Sequence, residues 1–229
     1  RYLEYFNGEK KVDLLLDQLQ SEQGARFLRK RNRNIIVQLL DGDDVEPHDD
    51  FKWMTIGQLK ELIRLDNVVN MDTRTVLSGV SYGGYSKAAL EGMYRFESSR
   101  KDSRPMLRSA LLNGSTRNSF RDILSWITNL KSTYDLFIDK IAINQTSDWR
   151  HSGGVIARPD NKYFSVIGVN VSIENREVIN WDQPMVQPSQ EGLVAFIVRP
   201  IDGVYHFLVQ AKLEAGNFDI IELAPTVQC

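Results

Sequence analysis

Apolar and polar positions alternate most clearly near the end of the chain. Two apolar runs, Leu193–Val198 and Val204–Leu213, flank Ile201-Asp202-Gly203. Asp-Gly between alternating runs predicts a tight β-hairpin, because glycine accepts the positive φ such a turn requires. In the second run, period 2 puts Tyr205, Phe207, Val209, Ala211 and Leu213 on one face. The opposite face carries His206, Leu208, Gln210, Lys212 and then Glu214. Such a polar row is either the solvated side of an antiparallel sheet or a rigid platform for a binding site.

Upstream, Val12, Leu15, Leu16 and Leu19 recur at helical spacing, which predicts a short amphipathic helix over residues 11–20. Phe27–Leu39 reads as a strand on which Arg29, Arg31 and Arg33 share a face. Thr55-Ile56-Gly57-Gln58 is a capping-box pattern opening a helix that buries Ile56, Leu59, Leu62 and Ile63. Asn70 or Asp72 caps a further short helix through Leu77. Residues 79–118 gather Gly, Ser, Arg and Lys, with a weak helical pattern over Tyr85–Phe96. Ser119, with Asp122 as the capping acid, starts a helix carrying Phe120, Ile123, Leu124, Ile127 and Leu130 on one stripe. Strands are then expected at Leu136–Ile143, Tyr163–Ile173, Glu177–Trp181 and Phe218–Leu223, with Trp149 and His151 in a loop.

Composition narrows the function classes. The chain has 229 residues, 42% hydrophobic and 25% charged, enough for one large or two small domains. A net charge of −2 gives no reason to expect nucleic acid or an anionic membrane as partner. No apolar run approaches the ~20 residues needed to span a bilayer. The single cysteine, Cys229, is the last residue. No intrachain disulfide can form, and a reducing cytoplasm is the default location. The Asn-x-Ser/Thr matches at Asn113, Asn144 and Asn170 then carry little meaning. The absence of an initial Met and the stop just after a strand-like segment read as cut ends. The acidic run Asp41–Asp50 lacks the glycine and closing glutamate of a calcium loop and reads as a solvated connector. No G-x-G-x-x-G or P-loop opens a helix, no helix is crowded with Glu as in a Nudix hydrolase, and no Cys/His cluster provides a zinc site.

Four strings, in consistent order, carry a resemblance. Leu208-Val209-Gln210-Ala211-Lys212-Leu213-Glu214-Ala215-Gly216-Asn217, followed by Glu222-Leu223-Ala224-Pro225-Thr226-Val227-Gln228, is similar to the signature of the NDP-hexose 2,3-dehydratases. Leu19 to Gly24 with Phe27 to Asn34 resembles another block of that family. So do Trp53 to Gln58 and Asn67 to Ser78. The resemblance implies an α/β (α+β) protein of a tandem-duplicated family, each repeat a Nudix-like mixed sheet flanked by helices. Residues 1–80 match the later part of the first repeat, 81–118 form a linker, and 119–229 match the earlier part of the second.

The implied chemistry is loss of water across C2 and C3 of a dTDP- or other NDP-4-keto-6-deoxyhexose, without a cofactor. The C3 proton lies α to the C4 ketone, so a base can remove it while donors stabilise the enolate. Lys212 and Glu214, two apart on the polar face, are read as oxyanion donor and base, or as an ordinary surface ion pair. Glu22 is a second base candidate, or a helix-end acid. Ser21, His206, Gln210, Asn217, Thr226 and Gln228 are candidate substrate contacts, although a lone strand histidine is often purely structural. Trp181 with Gln183 is a platform for the nucleotide base, or a core residue. Arg29, Arg31 and Arg33 form a diphosphate clamp, a solvated charged face or an RNA-binding patch. Three functions stand open: a part of the dehydratase, a sugar-nucleotide-binding module without turnover, and a structural or nucleic-acid-binding fragment. Whether the chain forms a homodimer is left open.

Overall fold

The computed structural model describes residues 2–80, 85–99, 109–110, 116–174 and 177–228. The chain divides into two units. The first comprises Arg1–Leu111 and Glu214–Ile220, the second Leu112–Leu213 and Ile221–Cys229. The class is α+β, and every strand pairing among the described residues is antiparallel.

The first unit is built on a hairpin of β1 (Asp13–Ser21) and β2 (Arg31–Gln38). Residues 11–20 are therefore mostly strand, not the helix that their spacing predicts. The reason is a bulge: Leu14 pairs with Val37 and Leu16 with Ile36, leaving Leu15 as the extra residue. An inserted residue shifts the phase of a period-2 pattern, so leucines on opposite faces acquire the intervals of a helix. Strand β2 starts at Arg31 and not at Phe27, because residues 24–29 turn and Arg29 has a φ of 53°. Helix α1 (Ile56–Ile63) begins at the expected capping box, Thr55 and Gln58 exchanging hydrogen bonds of 3.2 and 2.9 Å. Asn70 caps α2 (Met71–Ser78) through the Thr73 amide, and α3 covers Lys87–Ser99. Gly79, after α2, packs on Leu16 and Gln18 of β1. A cavity of about 430 Å³, lined by aromatics including Tyr5, Phe6 and Trp53, reaches Val37. Register places Val37 on the face of β2 opposite to Asn32 and Asn34.

In the second unit α4 (Phe120–Thr133) starts at Ser119 with Asp122 closing the box. The Ser119 hydroxyl and amide together hold the Asp122 carboxyl below the usual carboxylate range. A four-stranded meander follows: β3 (Arg150–Ser152), β4 (Val155–Ala157), β5 (Phe164–Ser172) and β6 (Asn180–Pro188). The β3–β4 pair places His151 on a strand, where a loop was expected; its Gly153-Gly154 turn, φ 59° and 78°, was the available signal. Strand β6 runs well beyond the expected Trp181, because its prolines sit on a sheet edge that tolerates a missing donor. Residues 136–142 form no strand; Phe137 is 87% exposed.

The predicted hairpin is β8 (Ile197–Ile201) and β9 (Val204–Leu208), closed by Asp202 and Gly203 at φ 51° and 73°. Flanking it are β7 (Val194–Ala195), β10 (Gln210–Leu213), β11 (Ile221–Ala224) and β12 (Val227–Gln228), with β7 paired to β12 and β10 to β11. The long second run is thus two strands broken at Val209. Thr226 fills the break: its hydroxyl donates to the Leu208 carbonyl and accepts from the Ile197 amide at 3.0 Å. Replacing Thr226 with Val keeps the shape and removes both bonds. The expected loss is about 1 kcal/mol, read as a lower urea midpoint at unchanged slope, with Ser restoring it. Val204 and Ile221, 4% and 1% exposed, are the buried apolar residues of the described chain. Among the described residues no helix is long and apolar enough to cross a membrane.

Candidate active site in the first unit

One face of the β1–β2 hairpin is polar at the end next to its connecting loop. Register brings Gln18, Gln20, Asn32 and Asn34 onto it, and the Glu22 amide extends the ladder by bonding the Lys30 carbonyl at 2.9 Å. Asn34, 7% exposed, donates to Gln20 Oε1 at 2.9 Å. One rung on, Asn32 Nδ2 donates to Glu22 Oε2 at 2.5 Å, and Lys30 Nζ reaches the same oxygen at 3.2 Å. The Glu22 side chain is 11% exposed. The Asn32 hydrogen bond, followed by that from Lys30, holds its carboxyl below the usual glutamate range. Glu22 is thus an ionised, sheltered carboxylate with neutral and cationic donors on one oxygen.

The loop after Glu22 closes around a distant piece of chain. Gly216 donates its amide to the Gly24 carbonyl and accepts from the Arg29 amide, both at 2.7 Å. A Cβ on Gly216 would overlap the carbonyl oxygens of Phe27 and Gly24, and one on Gly24 would overlap the Asn217 carboxamide. Neither position has room for a side chain. Asn217 is 8% exposed, and its carboxamide has no hydrogen-bond partner among the described residues. Its backbone N–H donates to the Glu214 carbonyl at 3.2 Å. Phe218 lies under the Arg31 guanidinium at 3.9 Å. Gln23 reaches Met71 Sδ, at the start of α2, at 3.6 Å.

The arginine row does not form as one face. Arg29 is in the turn, off the strand, for the backbone reason given above. Arg33 is held by Asp17, Nε to Oδ1 at 2.7 Å and Nη2 to Oδ2 at 2.5 Å, and this pairing lowers the Asp17 pKa. Arg31 is stacked on Phe218, and Ser21 ends β1 opposite it.

Lys212 and Glu214 do not share a strand face. Strand β10 ends at Leu213, and Glu214 belongs to the first unit while Lys212 belongs to the second. Lys212 sits opposite Glu222 and reaches Gln228, 3.1 Å to its carbonyl and 3.3 Å to Oε1. Gln210, on the same strand, is exposed. His206 accepts at Nε2 from the Arg117 amide at 3.1 Å, with Nδ1 3.0 Å from the Val204 carbonyl. Both ring nitrogens are engaged, in the pattern of the Nδ1–H tautomer. Trp181 Nε1 donates to Gln183 Oε1 at 2.6 Å on one face of the meander. Among the described residues no group of three or more His, Cys, Asp or Glu is placed to hold a metal ion.

The sequence profile of the NDP-hexose 2,3-dehydratases matches residues 1–80 and 120–229. The chain belongs to that family. It is similar to three proteins named dTDP-4-dehydro-6-deoxy-alpha-D-glucopyranose 2,3-dehydratase. The one from Saccharopolyspora spinosa is 40% identical over 228 residues, covering 100% of this chain and 46% of the relative. Those from Amycolatopsis orientalis and Streptomyces violaceoruber are 39% and 38% identical, again over 100% of this chain and over 42% and 48% of themselves. The chain spans about half the length of the curated relatives it matches. Two of the strings that carry the family resemblance, one around Glu22 and one around Gly216, meet in the Gly24–Gly216 contact. Lys30, Asn32, Gly24 and Gly216 all lie in those strings, yet residue chemistry alone does not single them out as site residues.

Proposed function

We propose that this chain contributes a wall of the site at which a 2,3-dehydratase removes water from a dTDP-linked 4-keto-6-deoxyhexose. The observation that supports it is the ionised Glu22 carboxylate held where the two family strings meet. In this reading Glu22 takes the C3 proton, and the electron pair moves towards the C4 carbonyl to give an enolate. The C2–O bond then breaks, the hydroxyl leaves as water with a proton from an acid, and the resulting enol relaxes to the 3,4-diketo-2,6-dideoxy sugar. Glu214, carried on the docked segment, is the second acid–base group of this unit. Asn217 offers its buried, unpartnered carboxamide to a sugar hydroxyl, which relieves the ~1–3 kcal/mol that such a group otherwise forfeits. Arg29 and Arg31 serve the diphosphate; Arg33 is engaged by Asp17. Lys212, Gln210, Gln228, Trp181 and Gln183 belong to the second unit, and serve the sugar-nucleotide site of the other Nudix-like repeat.

A second reading is binding of the sugar nucleotide without turnover. Incubation with dTDP-4-keto-6-deoxyglucose separates the two, by mass spectrometric detection of the loss of one water. The expected result is formation of the dehydrated sugar, undiminished by EDTA. Saturable binding of dTDP with no loss of water assigns the chain to the binding role instead. Inhibition by EDTA argues against the metal-free elimination.

A further inference from the structure

We propose that Asn32 is a positioning residue for Glu22, engaging one carboxylate oxygen so that the other is left to receive the substrate proton. The proposal rests on the reading of Glu22 as the base. Its grounds are geometric. Asn32 Nδ2 and Lys30 Nζ both meet Oε2, at 2.5 and 3.2 Å; the Gln23 backbone amide also donates to the carboxyl, and no side chain is bonded to Oε1 among the described residues. A carboxylate free to rotate would present either oxygen; one fixed through Oε2 presents Oε1 in a single direction. Asn32 is itself restrained. It lies directly opposite Gln20, whose amide oxygen is occupied by the buried Asn34. Lys30 is less constrained, 49% exposed with its ammonium 4.9 Å from the Phe27 ring centroid. As a neutral amide, Asn32 orients the base without adding to the positive charge that Lys30 already brings to it.

Proton balance is simple. The C3–H bond breaks, the proton forms an O–H bond at Oε1, and its electron pair enters the enolate. The charged groups on elements around Glu22 are Arg26, Arg29 and Lys30 in the loop, Arg31 at the start of β2, and Glu214 and Asp219 in the docked segment. Lys30 is the one whose ammonium contacts the carboxylate. Loss of the Asn32 donor therefore moves the Glu22 titration upward, and loss of Lys30 does the same.

The test is a ¹³C NMR titration of the Glu22 carboxyl in the whole chain, for the unaltered protein and for the N32L and K30M variants. The carboxyl resonance is assigned with E22Q. Both variants are expected to titrate at higher pH than the unaltered chain, with K30R restoring the original position. Where the chain turns over substrate, N32L is also expected to lower kcat about 10- to 100-fold, with KM changed less than about twofold. An unmoved titration in N32L overturns the proposal, whatever K30M shows. If N32L does not fold, Asn32→Ser, whose shorter side chain does not reach Oε2, makes the same test, and K30M serves as the comparison for loss of the other donor. Full activity of E22Q instead removes the assignment of Glu22 as the base, an outcome separate from the titration result.

Discussion

Glu22→Gln is expected to lower turnover by about 10²- to 10⁴-fold, the range that a positioned general base supplies. Binding of dTDP should stay within about twofold. The substitution is isosteric, and its amide oxygen can take the place of Oε2 opposite Asn32 and Lys30, so the hairpin has no reason to rearrange. What disappears is the proton acceptor. In the unaltered protein the sign of the pH dependence follows from the lowered pKa. The carboxylate is the working form, and it is lost only as pH falls through a value below the usual glutamate range. Rate measurements from pH 4 to 8 (approximate bounds set by ordinary carboxylate and histidine titration) should show a flat neutral region and an acid limb. A Glu22→Gln chain that keeps its full rate would move the base to Glu214.

Gly216→Ala is expected to destabilise the first unit by about 3 kcal/mol or more, the upper end of what an added methylene does in a packed site. The added carbon would overlap two backbone carbonyl oxygens, those of Phe27 and Gly24, and backbone cannot swing aside as a side chain end can. At about 2–4 °C for each kcal/mol, the melting shift is well resolved. Limited proteolysis should cut between Glu22 and Lys30 before it cuts the meander of the second unit. Gly168→Ala is the control. It lies in β5 with nothing within 4 Å of the added carbon, so its effect should be within ±0.5 kcal/mol. Equal stability of the two variants would mean that Gly216 does not thread the loop.

Local signals were legible in the amino-acid sequence where the physics is local. The Asp202-Gly203 turn, the boxes at Thr55 and Ser119 and the Asn70 cap each depend on residues within a few positions, and each is found. Strand β1 was illegible because a bulge at Leu15 breaks the period from which a strand is recognised. Around the site, Arg29, Arg31 and Arg33 dominate the pattern, but the residues between them do the holding. Period 2 says that Asn32 and Asn34 share a face; it cannot say that Glu22 stands on that face too, since this depends on the β1–β2 register. The contact between Gly24 and Gly216 depends on pairing across most of the chain, which no local pattern encodes. Its only trace in sequence is that both glycines sit in the strings shared with the family.

The loop that closes on Gly216 also sets a schedule. Emerging from a ribosome, the stretch from Glu22 to Arg29 has its hairpin neighbours at once, but its central peptide arrives only with residues 214–220. Until then the Gly24 carbonyl and the Arg29 amide have water in its place. Maturation of the first unit is therefore tied to synthesis of the second, and a nascent chain stalled before Glu214 would carry Glu22 on its hairpin without the segment that closes the loop beside it.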